Sequence, residues 1–207
     1  MSAAAVAGPP AGIGPNALLQ LVPVLERVGG PALREEVFAS AGVFHLPRAD
    51  GLIAEGPVAR VHQQMRRQLP ELAPSLAWEA GRRTADDVIA NRIPRPVVVL
   101  LRALPPVLAG PLLTRAIEKH AWTFAGSGRF EVVSMQPLTF ALHDNPVVRG
   151  EHADHPLCHW HAAVFERLFE ALVTRRTRVT ETECCAMGAA ACRFRIGLRP
   201  DQGASAG

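Results

Sequence analysis

All four cysteines of this 207-residue chain lie between Cys158 and Cys192, in a stretch reading CHWHAAVFERLFEALVTRRTRVTETECCAMGAAACRF. Thiolates are soft ligands, and a closed set of four suits a structural zinc ion. Cys158, Cys184 and Cys192 with one Glu or His would make such a set. Glu181, Glu183, Glu151 and His143 are candidates for the fourth place. No two of these cysteines have C-x-x-C spacing, and the competing reading is that Cys184, Cys185 and Cys192 are small buried hydrophobes.

Histidines crowd the same region. Five of the eight, His143, His152, His155, His159 and His161, fall within nineteen residues around Cys158. Imidazole is the commonest metal ligand and titrates near neutral pH, so the cluster invites a metal- or pigment-ligating role. The plainer alternative is a polar loop carrying His152 and His155, with His159 and His161 at a helix start.

Three elements must position these groups. Ala162, Phe165, Leu168, Phe169, Leu172 and Val173 recur at helical spacing. Two strand-like runs follow, RRTRVTETE and CRFRIGL, joined by the small-residue turn AMGAAA. In the second run Phe194, Ile196 and Leu198 alternate with Arg193 and Arg195, which gives the hairpin one buried face. Closing it brings Cys184 or Cys185 near Cys192, and the start of the preceding helix supplies Cys158.

Upstream, residues 1–15 read as a leader of small residues, Gly and Pro. Gly12, Gly14 and Ala17 trace G-x-G-x-x-A, but no buried strand precedes them and Pro15 occupies the turn, so this is no dinucleotide fingerprint. Asn16 is expected to start a helix that ends at Gly29-Gly30. A short helix with Pro31 at its first position follows, over 32–41. Further helices are expected over 58–69, from Ser75 to Ile89, over 97–104 and over 112–120, the last two separated by Pro105-Pro106 and Gly110-Pro111.

The period changes at Ala125. Phe130 and Val132, then Leu138, Phe140 and Leu142, alternate on either side of Pro137, which must lie at an edge or a turn. Helices first and strands later predict one α+β domain over 16–198, with an N-terminal helical layer on a mostly antiparallel sheet of about four strands. Residues 199–207 read as a tail.

Composition excludes several classes. The chain is 48% hydrophobic and 20% charged, as in globular proteins. A net charge of +3 without a basic block longer than a pair argues against nucleic acid. The apolar region 94–117 is broken by arginines and prolines, which argues against a membrane span and leaves at most a peripheral membrane contact. The N-terminus lacks a signal-peptide pattern, so a cytoplasmic location is expected.

The stretch TADDVIANRIPRPVVVLLRALPPVLAGPLLTRAIEKHAWTFAGSGRF and the hairpin pattern E-x-x-C-x-A-x-G-x-x-x-C-x-F (Glu181, Cys184, Ala186, Gly188, Cys192, Phe194) resemble the bacteriochlorophyll 4-vinyl reductase proteins of anoxygenic phototrophs. The vinyl-4-reductase domain of that family is shared with aromatic-sensing domains of transcription activators and is similar in fold to a TRAPP tethering subunit. HAWTFAGSG and LHDNPVVRG point to the photosynthetic branch.

The resemblance implies a role in bacteriochlorophyll biosynthesis, nominally reduction of the 8-vinyl group of a divinyl chlorophyllide-type tetrapyrrole. It also implies zinc on Cys158, Cys184 and Cys192 with a carboxylate, for which Glu151 is taken here and Asp144 and His143 are the other candidates. A homodimer and a pathway-enzyme partner are further expectations, at or near the photosynthetic membrane.

Reducing a carbon–carbon double bond requires a reductant held by a cofactor. This sequence has no nicotinamide fingerprint or iron–sulfur cysteine run, and no bound nicotinamide or flavin is expected. The expectation is therefore a tetrapyrrole-binding carrier or accessory protein. A reductase drawing on an external reductant and a small-molecule sensor or scaffold are the alternatives. His120 is expected as an axial ligand, Trp122, Phe124 and Met135 as pocket walls, and Arg129 as a propionate partner.

Overall fold

The computed structural model describes residues 11–199. Residues 1–10 of the expected leader and 200–207 of the expected tail lie outside the described residues. Eight helices are described: α1 (Asn16–Leu19), α2 (Leu21–Ser40), α3 (Glu55–Gln68), α4 (Ala73–Asn91), α5 (Arg95–Ala103), α6 (Pro106–Lys119), α7 (Trp122–Ala125) and α8 (His159–Leu172). The strands are β1 (Gly12–Ile13), β2 (Ile53–Ala54), β3 (Arg129–Met135), β4 (Leu138–His143), β5 (Arg176–Glu183) and β6 (Ala191–Arg199).

The last four strands form an antiparallel sheet in the order β3-β4-β6-β5. Its inward face is set by alternation: Leu138, Phe140 and Leu142 on β4, Cys192, Phe194 and Ile196 on β6, and Thr177 and Val179 on β5 are all buried. Helices cover one face of an antiparallel sheet, so the expected α+β architecture is what the chain adopts.

Helix α8 is the spine of the molecule. From Trp160 to Glu166 every residue is buried, with Leu168, Phe169 and Leu172 beyond, and a helix apolar almost all round must be covered on several sides. On the sheet side Phe165 meets Phe140 and Phe194 edge-on at 5.2 and 5.3 Å between ring centroids. On the other side α4 comes so close that a Cβ added at Gly81 would sit 2.4 Å from the carbonyl oxygen of Trp160. Trp160 also donates Nε1–H to Thr84 Oγ1 at 3.2 Å, fixing the register of α8 on α4.

Several sequence expectations need correction. The leader ends before residue 12: Ile13 is fully buried, β1 pairs with β2, and the Gly14 N–H donates to the Thr123 carbonyl at 2.6 Å. Gly12 and Gly14 thus serve close packing, against Leu52 and the Thr123 backbone. Helix α6 begins at Pro106 and passes through Pro111. Proline is tolerated at a first helical position, and the carbonyl that Pro111 leaves unbonded belongs to Val107, which is on the surface. At Gly29-Gly30 the chain kinks, with Gly30 at φ 70°, so α2 is two helical segments as expected.

Candidate metal centre and the cleft beside it

Cys158 occupies the N-cap position of α8, Cys192 lies on β6 opposite Leu142, and Glu181 and Cys184 stand at the end of β5. Along β5, Thr177, Val179 and Glu181 share one parity. The register then slips between Glu181 and Glu183, leaving Thr182 unpaired, so Cys184 rather than Glu183 turns inward. A bulge re-aims side chains in this way. Cys185 starts a 3-10 turn closed by Gly188 at φ 85°, a left-handed conformation that glycine adopts without strain.

The three sulfurs converge. Cys158 Sγ is 3.4 Å from Cys192 Sγ and 3.9 Å from Cys184 Sγ, and Cys184 to Cys192 is also 3.9 Å. With a Glu181 carboxylate oxygen, all four ligand atoms lie within 4.8 Å of one another. Tetrahedral zinc with bonds of about 2.3 Å to sulfur would hold sulfurs about 3.8 Å apart, so the spacing fits that ion.

The electrostatics agree with a cation site. Glu181 Oε2 accepts the Cys158 N–H at 2.8 Å, while Oε1 is buried without a partner. Burial, then the neighbouring Cys184 thiolate, pushes the Glu181 carboxyl up to about 8. Hydrogen bonds from the Cys158 and Cys192 thiols hold Cys184 far below the ordinary thiol range. Burial drives Cys158 well above it. Cys192 is also raised: its hydrogen bond with Cys158 acts downward, but donation to Cys184 and burial outweigh that. The metal-free group is thus one thiolate solvated by two thiols beside a desolvated carboxyl, and a dication would replace the shared protons and draw all four groups into their charged forms.

Two supporting residues escape the sequence reading. Asn145, buried at the end of β4, donates Nδ2–H to Cys158 Sγ at 3.2 Å and reaches Cys192 Sγ at 3.7 Å, while its Oδ1 accepts the Val147 N–H. The Asn-Pro step at 145–146 is the only signal for it, and that signal reads as a turn. The Cys185 N–H donates to Cys192 Sγ at 3.3 Å, so Cys185 contributes through its backbone, and its thiol stands outside the set.

Glu151, taken above as the fourth ligand, is elsewhere. Arg66 holds it through both guanidinium edges, with Nε donating to Oε1 at 3.1 Å and Nη2 to Oε2. Glu183 pairs with Arg193, and His143 Nε2 meets Glu131 Oε2 at 3.0 Å. His161 is buried with Nε2 3.4 Å from the Phe124 carbonyl.

The loop that delivers Cys158 also walls a cleft of about 670 Å³, facing the end of α3 and the start of α4. His152, His155 and His159 line it with Arg66, Arg67 and Leu157. His159 Nε2 is buried without a partner, and burial, with His155 and Arg66 nearby, lowers its proton affinity. A smaller hollow of about 330 Å³ lies among Leu18, Phe44 and Ile53.

The residues expected to bind pigment do not wall either space. His120 is exposed and its Nδ1 lies 2.8 Å from the Ala116 carbonyl; Arg129 pairs with Glu131; Trp122 and Met135 are exposed. Phe124 packs inward against Phe130 and Phe165.

Residues 138–198, which hold every member of the cysteine group, match the model of the V-4-R (vinyl-4-reductase) domain. The bacteriochlorophyll synthase 23 kDa chain of Cereibacter sphaeroides is 53% identical over 184 residues, covering 89% of each chain. This chain belongs to that family. Among solved structures, an Fe(II) unliganded H-NOX protein from K. algicida superposes with a TM-score of 0.59 at 11% identity, covering 92% of this chain and 98% of the other. A second structure, described by haem redox potential and porphyrin distortion, gives 0.52 at 12% identity, covering 91% and 96%. These two likenesses establish the fold. Within the family match, the β4–β6 segment carries the metal centre and one wall of the cleft, while α3 and α4 supply the opposite wall.

Proposed function

We propose that this chain binds a divinyl chlorophyllide-type tetrapyrrole and presents it to a partner enzyme for reduction of its 8-vinyl group, acting as a carrier rather than a self-sufficient reductase. The observation that carries this reading is the 53% identity with a bacteriochlorophyll synthase chain. The fold lends weaker support, since a neighbour that shares it is described by its haem.

The cleft beside the cysteine group is the proposed seat. Its volume of about 670 Å³ lies within the range of small-molecule pockets. Its three imidazoles suit a ring magnesium, and Arg67, which no carboxylate holds among the described residues, suits a propionate. The Cys158/Glu181/Cys184/Cys192 group would hold a structural zinc that fixes the loop over 150–158, and so one wall of the cleft. The carrier role follows from the architecture: the described sheet is antiparallel throughout, without the βαβ unit on which a nicotinamide pyrophosphate is held.

The test is an absorbance titration of the purified protein with divinyl chlorophyllide, with and without NADPH. A saturable spectral shift with the vinyl group intact is expected, weakened about tenfold or more by His155→Ala with His159→Ala. If His120→Ala and Trp122→Ala weaken it instead, the seat is the surface around those residues. Conversion to the monovinyl product by the protein alone would mean that the chain is itself a reductase.

A further inference from the structure

Helices α5 and α6 form a hairpin across Leu104-Pro105 that rests on α8 and on the end of the sheet. Its inner side is filled by Leu101 on α5 and by Ala109, Leu113 and Ile117 on α6, and the bare Cα of Gly110 faces Leu198. The outer side is also aliphatic. Val97, Val99 and Leu100 on α5 and Val107, Leu108 and Leu112 on α6 are exposed, Val107 to 77% and Val99 to 66%. Single exposed aliphatics are ordinary, but six on two adjoining helices are a patch that calls for a partner.

Charge identifies the partner. Between Asp87 and Glu118 there is no acidic residue, while Arg92, Arg95, Arg102 and Arg115 fall in that interval. Arg95 and Arg115 make no ion pair among the described residues, whereas Arg27, Arg66, Arg82 and Arg167 are each held by a carboxylate. The first turns are built for low polarity as well. Pro94 and Pro96 open α5, Pro105 and Pro106 open α6, and each proline removes an N–H that a helix start would leave unbonded.

We infer that the outer face of the α5–α6 hairpin docks on an anionic lipid surface, lying in the plane of the interface. The aliphatic side chains would enter the headgroup–acyl boundary while the arginine stems extend to lipid phosphates. No described helix is long and apolar enough to cross a membrane, so the contact is interfacial. A second copy of the chain is a poorer occupant: a two-fold interface would set the same arginines against one another with no acidic residue nearby. The face is also broad, and neither cavity reaches it. This inference stands apart from the identity of the bound pigment.

Co-sedimentation of the full-length, metal-loaded chain with vesicles tests it. Binding is expected to vesicles in which part of the phosphatidylcholine is replaced by phosphatidylglycerol, to weaken with added salt, and to be slight on phosphatidylcholine alone. Arg95→Gln with Arg115→Gln should lower partitioning about tenfold or more. Leu100→Ser with Leu108→Ser should lower it comparably, both pairs keeping the parent unfolding temperature. Equal binding to both vesicle types, or none to either, overturns the proposal. So does a concentration-dependent dimer, seen by sedimentation equilibrium, that the same variants abolish.

Discussion

The cysteine group and the α5–α6 hairpin invert the usual placement of chemistry in a folded chain. At the first, ionisable groups are buried: Cys158, Cys184 and Cys192 are at most 1% exposed, with Glu181 against them. At the second, aliphatic side chains are left in water. Each arrangement is costly in isolation, because a buried carboxyl lacks solvation and an exposed valine gains nothing from folding. The difference lies in what relieves the cost. The cysteine group is held by elements distant in sequence, α8, β4, β5 and β6, with Asn145 and two backbone N–H groups already in place. It needs only a cation. Nothing among the described residues covers the hairpin face, so an external surface must.

The largest effect separating the two regions should come from the metal. A ligand that binds only the folded state at a thousandfold excess over its Kd stabilises by about 4 kcal/mol. Stripping zinc with a chelator, or replacing Cys192 with Ala, should therefore lower the denaturation midpoint sharply and release about one equivalent of zinc by metal analysis. A chain that unfolds identically with and without chelator would mean that the sulfurs are simply packed together.

A smaller effect should appear with pH, through a buried histidine far from the hairpin. His62 is fully buried, with Nε2 2.9 Å from the Ala17 carbonyl, and burial, aided by the Arg66 charge, lowers its pKa from 6.5 to about 3. The folded state thus requires neutral imidazole. Its contribution is complete above pH 6.5 and is lost as pH falls from there towards 3, at about 1.4 kcal/mol per pH unit. Urea unfolding at pH 7 and pH 5 should show the loss, and His62→Gln should reduce the pH slope. His161, buried and lowered to about 4, adds a parallel component that the variant retains. An unchanged slope in His62→Gln would place the acid sensitivity elsewhere.

The sequence makes the cysteine group largely legible and the rest of the site much less so. Period-two alternation in β6 puts Cys192, Phe194 and Ile196 on one face, and the turn between the strands must bring Cys184 close. The same alternation on β5 carries Glu181 inward behind Thr177 and Val179, and favours it over Glu151 as the fourth ligand. What hides the choice is the bulge at Thr182, which lets both Glu181 and Cys184 face inward although they differ in parity. The cleft is harder still to foresee. Its walls come from the α3–α4 junction and from residues 150–159, and no periodicity links segments so far apart. Helices α5 and α6 announce themselves by apolar content, yet composition alone does not say which half of each helix is covered. The two-residue strand at Gly12–Ile13 is too short for any pattern, and tertiary pairing with β2 decides it.

The smallest expected effect concerns the hairpin face, and its value lies in the contrast with the helix pair that carries the cysteine group. Gly81→Ala drives a methyl group into the Trp160 carbonyl and the Ala163 side chain, with nothing flexible to yield. Overpacking of this kind costs about 1–3 kcal/mol, and it should also loosen the N-terminal turn of α8 that presents Cys158. Leu108→Gln changes a side chain of similar reach that is already 53% exposed, so stability should move by no more than about 0.5 kcal/mol. Chemical denaturation of the two variants beside the parent measures both. If Leu108→Gln destabilised as much as Gly81→Ala, the outer face would be packed against the chain itself, and no lipid surface would be needed to explain it.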